Sequence, residues 1–335
     1  MKLQQKRRII LFLILAAAAT QMLFGGLPGQ LAALLSGEDM AAFLLYVSTG
    51  RLVQTLAEEP VAESTAPTEA ATEATRAPEG ALFLAEDVAR IDVHSETAYA
   101  PNLEALLLQP LQWQLVSDQP TVLILHTHTT EAYAQRQEDP YVPSSQDRTL
   151  DKQHNMIRVG EYLAQLLEQQ GIHVLHDTTL HDYPSYTGSY ANARKTIGSY
   201  LERYPSIRLI LDLHRDAVEL EDGNQLTTHI RIDGTETSRL MMVVGTDEGG
   251  LVHPRWEENL SLALKLNAQL EKTNPGICRF LSLRQERFNQ DMLPGTMLIE
   301  VGAAGDTLPQ ALEATRYLAE AITALAWGVK ADSAN

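Results

Sequence analysis

The stretch TVLILHTHTTEAY, Thr121–Tyr133, decides how this chain is read. Val122–Leu125 is a run of consecutive apolar residues with no polar alternation, the pattern of a strand buried on both faces of an α/β sheet. Just beyond it stand His126, His128 and Glu131. In such sheets functional groups gather past the carboxyl ends of the strands, so the run is expected to stop where a site begins.

Outward from this strand the segments alternate. Asn155–Gln169 carries apolar residues at helical spacing and Gly171 closes it as a C-cap. Ile172–Leu175 reads as a strand, Tyr190–Tyr204 as a helix ended by Pro205, and Arg208–Leu213 as a further strand. Glu257–Lys272 is a long helix, Gly295–Val301 a strand and Pro309–Trp327 a closing helix. His229–Ile232 and Leu240–Gly245 are expected to pair as a hairpin insertion turning at Asp233–Gly234. Strands separated by helices of this length imply parallel pairing through right-handed crossovers. The expected class is therefore α/β, a mainly parallel sheet with helices on both faces and a hairpin insertion.

The N-terminus reads differently. Lys2, Lys6, Arg7 and Arg8 precede an apolar run from Ile9 to Phe24, taken as an uncleaved membrane anchor (1–28) rather than a cleaved signal segment. The basic flank is expected to stay in the cytoplasm, which places the rest of the chain on the extracytoplasmic side. Residues 29–57, with LAALL and AAFLLYV, form a membrane-proximal amphipathic segment. Residues 58–81 are rich in Pro, Glu, Thr and Ala and have too little apolar surface to order themselves, so they read as a linker. The folded domain is expected over 82–330.

Composition narrows the chemistry. Of 335 residues 44% are hydrophobic and 21% charged, which is ordinary for a globular chain. The net charge of −17 argues against a nucleic-acid partner, because phosphate binding needs clustered Lys and Arg. With Cys278 the only cysteine, a metal would have to use histidines and carboxylates.

Three strand ends carry such groups: His128 after the first, His214 in DLHRDA, and Glu300 in GTMLIEVG. Parallel strands would bring all of them to one sheet edge. Zinc hydrolases need three nitrogen or oxygen ligands and a nearby carboxylate to accept and return a proton. His128 and His214 suit the ligand role and Glu300 the general base. Glu131 offers a third ligand at His-x-x-Glu spacing, while His126 rivals His128, because extended residues two apart share a side. His154, His173, His176, His229 and His253 are read as surface or structural. Tyr186, Ser189 and Arg194 in LHDYPSYTGSYANAR, with Arg287 and Asn289 before the last strand, are candidates for holding substrate through aromatic faces and bidentate guanidinium contacts.

Together VLILHTHTTEAY, DLHRDA, LHDYPSYTGSYANAR and RFNQDMLPGTMLIEVG resemble the stage II sporulation protein P family over roughly Thr121 to Leu325. The domain is also remotely similar to the zinc-dependent N-acetylmuramoyl-L-alanine amidases. Their strand-end histidine matches His128, their S-I-H-A-N turn matches Asp212–Ala217, and their L-V-E-x-G strand matches Leu298–Gly302. Their carboxylate ligand falls at DKQHNM, on Asp151, so Asp151 and Glu131 both stand as the third ligand. The resemblance implies a Zn2+ cofactor, peptidoglycan as substrate, and hydrolysis of the N-acetylmuramoyl-L-alanine amide during septal wall thinning and engulfment. It further implies cleavage of stem-peptide cross-links and partnership with stage II sporulation proteins D and M. A zinc carboxypeptidase-like peptidase and a non-catalytic wall-binding scaffold are the alternatives.

Overall fold

The computed structural model describes residues 82–111 and 113–332, so the expected anchor, amphipathic segment and linker lie outside the described residues. Among those described, no helix is long and apolar enough to cross a membrane.

Val122–Leu125 forms β2, every residue of it buried. It sits in a seven-stranded sheet of order β1-β8-β7-β9-β4-β2-β3. The strands are β1 (Val93–Ser95), β2, β3 (Val174–His176), β4 (Leu209–Asp216), β7 (Leu240–Gly245), β8 (Leu281–Arg284) and β9 (Thr296–Ala303). β3, β2, β4 and β9 run parallel to one another, as do β1, β8 and β7. The two runs meet at β7 and β9, which pair antiparallel. The sheet is thus mainly parallel, with the carboxyl ends of β2, β3, β4 and β9 on one edge and those of β1, β7 and β8 on the other.

The helices are α1 (Leu103–Leu108), α2 (Met156–Gln169), α3 (Ser189–Arg203), α4 (Trp256–Thr273) and α5 (Leu308–Asp332). Alternation along β2 divides them between the faces. Val122 and Ile124 pack into a core with α1, α2, α4 and α5. Leu123, Leu125 and Ile210 of β4 pack instead against Ala193 and Ile197 of α3. Helices therefore cover both faces, as expected, but among the described residues α3 is the α-helix that serves the second. There the sheet beyond it is covered by Phe280 and Phe288, packed on Met241, Val243 and Leu298. Local signals hold for α2: the Asn155 side chain accepts from Ile157 N–H at its start, and Gly171 follows its end at φ +75.

One pairing differs from expectation. The hairpin joins β5 (Ile230–Ile232) to β6 (Thr235–Thr237), turning at Asp233 and Gly234, both at positive φ. Leu240–Gly245 is not its partner but a central strand of the main sheet. Its six residues are all buried, which suits a strand covered on both faces and not a surface ribbon. β1 and β8, both short, extend the sheet beyond the strands expected from the sequence.

A buried lysine joins α4 to α1. Lys265 Nζ donates to Leu106 O at 2.8 Å and to Ser261 Oγ at 2.7 Å, and burial pulls its ammonium down to about 8. Below that pH the charge is carried by folded and unfolded chains alike, and its full burial cost is present. As pH rises toward the free lysine value, the folded state sheds its proton first and the cost disappears. Lys265→Met is therefore expected to stabilise the protein at pH 7 by about 1–2 kcal/mol. Parallel melts should show the gain over the parent shrinking between pH 8 and pH 10.

Candidate metal centre

Because β2, β4 and β9 are mutually parallel, their carboxyl ends share an edge. The strand ends at Leu125, and this separates the two rival histidines. His126 continues the side of Ile124, toward α2. It is fully buried, with Nδ1 donating to Leu213 O at 3.0 Å and Nε2 3.0 Å from His176 Nε2. Burial holds the two rings neutral, His126 at about 3 and His176 at about 4. Gly160 of α2 lies directly over them: a Cβ there would stand 2.5 Å from both Nε2 atoms. Gly160→Ala is expected to cost about 1–3 kcal/mol by overpacking, read from urea unfolding midpoints.

His128 lies in the turn that follows, where Glu131 N–H donates to His128 O at 3.1 Å. That turn brings His128 and Glu131 together, and β4 brings His214. One donor atom from each of the three lies within 4.8 Å of the others, and all three residues are buried. The His128 and His214 rings meet edge-on at 5.2 Å, and His214 Nδ1 is 3.5 Å from Glu131 Oε2. Asp212, two residues before His214 on the same strand side, places Oδ1 2.9 Å from His214 Nε2, outside good hydrogen-bond alignment. Thr127 fixes Asp212 in turn, donating from its backbone N–H at 2.7 Å and from Oγ1 at 2.6 Å.

The electrostatics of the group are uneven. Burial opposes the charge on His214, yet Asp212 and Glu131 outweigh it and raise that imidazole well above its ordinary range. Burial lowers His128 to about 4. For Glu131 burial works upward, but Arg215 and His214 overcome it and hold the carboxyl at about 2. Arg215 N–H donates to Glu131 Oε2 at 3.3 Å, and Arg148 Nη2 to its Oε1 at 3.3 Å. The His128 Nδ1 atom is buried with no hydrogen-bond partner. Two imidazoles and a carboxylate, all buried, with His128 Nδ1 and His214 Nε2 both lacking a hydrogen-bond partner among the described residues, fit a divalent metal of the zinc type.

Glu300 lies beside this group, in register with His214 on the neighbouring strand. Its Oε2 is buried and unpartnered, and burial pushes the carboxyl up to about 8. A carboxyl in that range can hold or release a proton near neutral pH.

The remaining candidates divide. Asp151 is not brought into the group: its Oδ1 accepts from Gln153 N–H and its Oδ2 lies 2.9 Å from His154 Nδ1. His154 is held on its other side by Asp139, so this acid belongs to a surface cluster. Tyr186 does reach the centre, stacking on His128 at 4.5 Å with its hydroxyl 3.1 Å from His128 Nε2. Ser189 begins α3 and is buried. Arg194 and Arg287 both bind Asp291, the first through two contacts at 2.8 Å and the second at 3.1 Å. Asn289 donates to Tyr190 O at 2.8 Å. The Arg194 and Asn289 contacts tie α3 to the loop before β9, the Arg287 contact lies within that loop, and both arginines are thereby removed from an open grip on substrate.

Asp212, Arg148 and Arg215 join the centre without having been singled out for it, while Tyr190, in LHDYPSYTGSYANAR, stands edge-on to His128 at 5.5 Å. Asp212 was legible as the residue two before His214 in DLH; Arg148 arrives from a loop with no local signal. Burial, with Asp212 and Glu300 adding to it, raises the Tyr190 phenol far above its usual range.

A family model described as stage II sporulation protein P matches residues 39–323. The stage II sporulation protein P of Bacillus subtilis (strain 168) is 27% identical over 227 residues, covering 64% of this chain and 53% of that protein. The chain thus spans about half the length of the curated relative it matches. Among solved structures, N-acetylmuramoyl-L-alanine amidase AmiC2 of Nostoc punctiforme is 16% identical, covering 62% of this chain and 95% of that one at a TM-score of 0.33. The N-acetylmuramoyl-L-alanine amidase of Clostridium difficile 630 is 17% identical, covering 64% and 97% at a TM-score of 0.36. Similarity at those scores is too distant to argue from.

Proposed function

Since the chain belongs to the stage II sporulation protein P family, we propose that it is a peptidoglycan hydrolase of spore formation that cleaves the amide between N-acetylmuramic acid and the L-alanine of the stem peptide. The observation that carries this reading is the buried His128–Glu131–His214 group with Glu300 in register beside it. Zinc held by those three side chains would supply Lewis-acid polarisation of the amide carbonyl and acidify a water molecule.

The chain's own residues do the rest. Glu300 takes a proton from the attacking water as its oxygen bonds to the carbonyl carbon. It then delivers that proton to the alanine nitrogen as the carbon–nitrogen bond breaks, leaving a lactyl carboxylate on the glycan and a free amine on the peptide. Burial raises the Glu300 carboxyl to about 8, and the charge of a bound cation would lower it toward the ionised form that accepts the first proton. Asp212 holds the His214 ring in place, and Arg148 with Arg215 fixes the Glu131 carboxylate. Tyr186, an exposed residue at the rim with its ring stacked on His128 and beneath the Arg148 guanidinium, is placed to meet a sugar ring or peptide plane.

A peptidase acting on chain ends needs an arginine free to bind a terminal carboxylate. Arg194 and Arg287 are both committed to Asp291, which favours the amidase. Cleavage of stem-peptide cross-links, an N-terminal membrane anchor that confines the enzyme to wall near the septum, a role in engulfment and association with stage II sporulation proteins D and M complete the proposal. Dye-labelled cell wall incubated with the purified chain is expected to release soluble label, and chelation to stop it. Mass spectrometry should find free stem peptides with intact glycan; fragments trimmed only at peptide carboxyl termini would reject the amidase in favour of the peptidase, and no release at all would leave a wall-binding scaffold.

A further inference from the structure

Asp182 is buried in the loop between β3 and α3, and neither the ligand set nor the proton carrier accounts for it. Its side chain is wholly shielded from solvent and is knitted into the turn that carries the metal donors. Thr130, which directly precedes Glu131, donates to it from the backbone N–H at 3.2 Å and from Oγ1 at 2.6 Å. The neighbouring His181 ring anchors the same loop, with Nδ1 2.9 Å from His126 O. Asp182 also holds Arg148. Nη1 of that guanidinium donates to Asp182 Oδ2, while Nη2 donates to Glu131 Oε1 at 3.3 Å. One arginine thus lies between a carboxylate of the metal centre and a carboxylate outside it.

A cation beside a metal ligand works against the metal in two ways: it repels the ion, and it competes for the ligand's oxygen. Glu131 faces two such cations. Arg215 is one, with Nη1 buried, without a hydrogen-bond partner and 4.0 Å from Glu131 Oε1. Arg148 is the other, and its side chain is only 18% exposed, so solvent screens its charge weakly. Left to themselves, two guanidiniums would meet a single carboxylate and cancel the negative charge that a divalent ion needs. Asp182 changes that count by pairing with Arg148 from the far side. We propose that Asp182 is a positioning residue that holds Arg148 and cancels its charge beside Glu131, which leaves the Glu131 carboxylate to the metal. This role rests on the zinc reading of His128, Glu131 and His214 given above, and not on which bond is cut.

The test is the zinc affinity of the full chain, purified in detergent and read by competition with a chromophoric chelator at neutral pH. Asp182→Asn, Arg148→Met and the double variant are compared with the parent. Asparagine can still accept from Thr130, but it leaves the Arg148 charge uncancelled. Asp182→Asn is expected to weaken zinc binding by about 10–100-fold. Adding Arg148→Met should return the affinity to within about threefold of the parent, a recovery that a merely structural role for Asp182 would not give. The double variant is also the gentler one, because removing both members of a buried pair costs less than stranding one. An Asp182→Asn affinity within about threefold of the parent, or a double variant as weak as the single one, overturns the role. If a urea melt with chelator shows Asp182→Asn unfolded, Arg148→Met alone decides. It should bind zinc within about threefold of the parent, and a loss of about tenfold or more overturns the role by making the guanidinium a support of the site. A parent that binds no zinc overturns the metal centre, and this role with it. A parent that binds zinc but releases no stem peptide overturns only the amidase reading.

Discussion

Glu300→Gln should lower the rate of wall hydrolysis by about 10²–10⁴-fold, the usual contribution of a positioned acid–base group. The substitution keeps the shape of the side chain and removes its capacity to shuttle a proton. It touches none of the donors in the His128–Glu131–His214 group, so zinc content should be unchanged. Stability should not fall either, because burial already disfavours the ionised carboxylate at position 300. The measurements are kcat on purified wall, metal analysis by atomic emission and a thermal melt. A variant retaining more than about a tenth of parental turnover would remove Glu300 from the chemistry.

The second large effect separates two residues that share a role. His128→Ala and His214→Ala should both abolish zinc retention and bring turnover to background, since each removes a donor from a three-donor site. Their structural costs should differ. His214 is the cationic partner of Asp212 and Glu131, which would otherwise be buried beside each other without it. Its loss should destabilise the fold by about 3–5 kcal/mol, as expected on breaking a buried ion pair. His128 is a ring that burial keeps neutral, so its loss should cost only packing, about 1–3 kcal/mol. Urea unfolding with chelator present throughout isolates this term from metal binding. Equal destabilisation of the two variants would contradict the asymmetry, and zinc retained by either would break the ligand assignment.

Much of the framework was legible because it follows from local chemistry. An apolar run without alternation made β2 readable, a C-cap glycine marked the end of α2, and helices between strands dictated parallel pairing. Leu240–Gly245 was misassigned because an Asp-Gly turn lies just ahead of it. A turn signal says that the chain reverses, not which later strand it will meet. The short β1 and β8 were missed because three or four residues hold too little pattern to distinguish a strand from a loop.

What the sequence determined by itself is the class of sheet and the arrival of His128, His214 and Glu300 at one edge, since strand direction carries them there once those strands pair parallel. Only the tertiary structure decided the rest. It placed His126 beneath Gly160 and His128 in the turn, because the extended geometry that would keep both on one side ends at Leu125. It brought Glu131, and not Asp151, beside the two histidines, and it paired Arg194 and Arg287 with Asp291. Each of those outcomes depends on which charges find partners across long stretches of chain, and a partner is a property of space, which no local pattern of residues encodes.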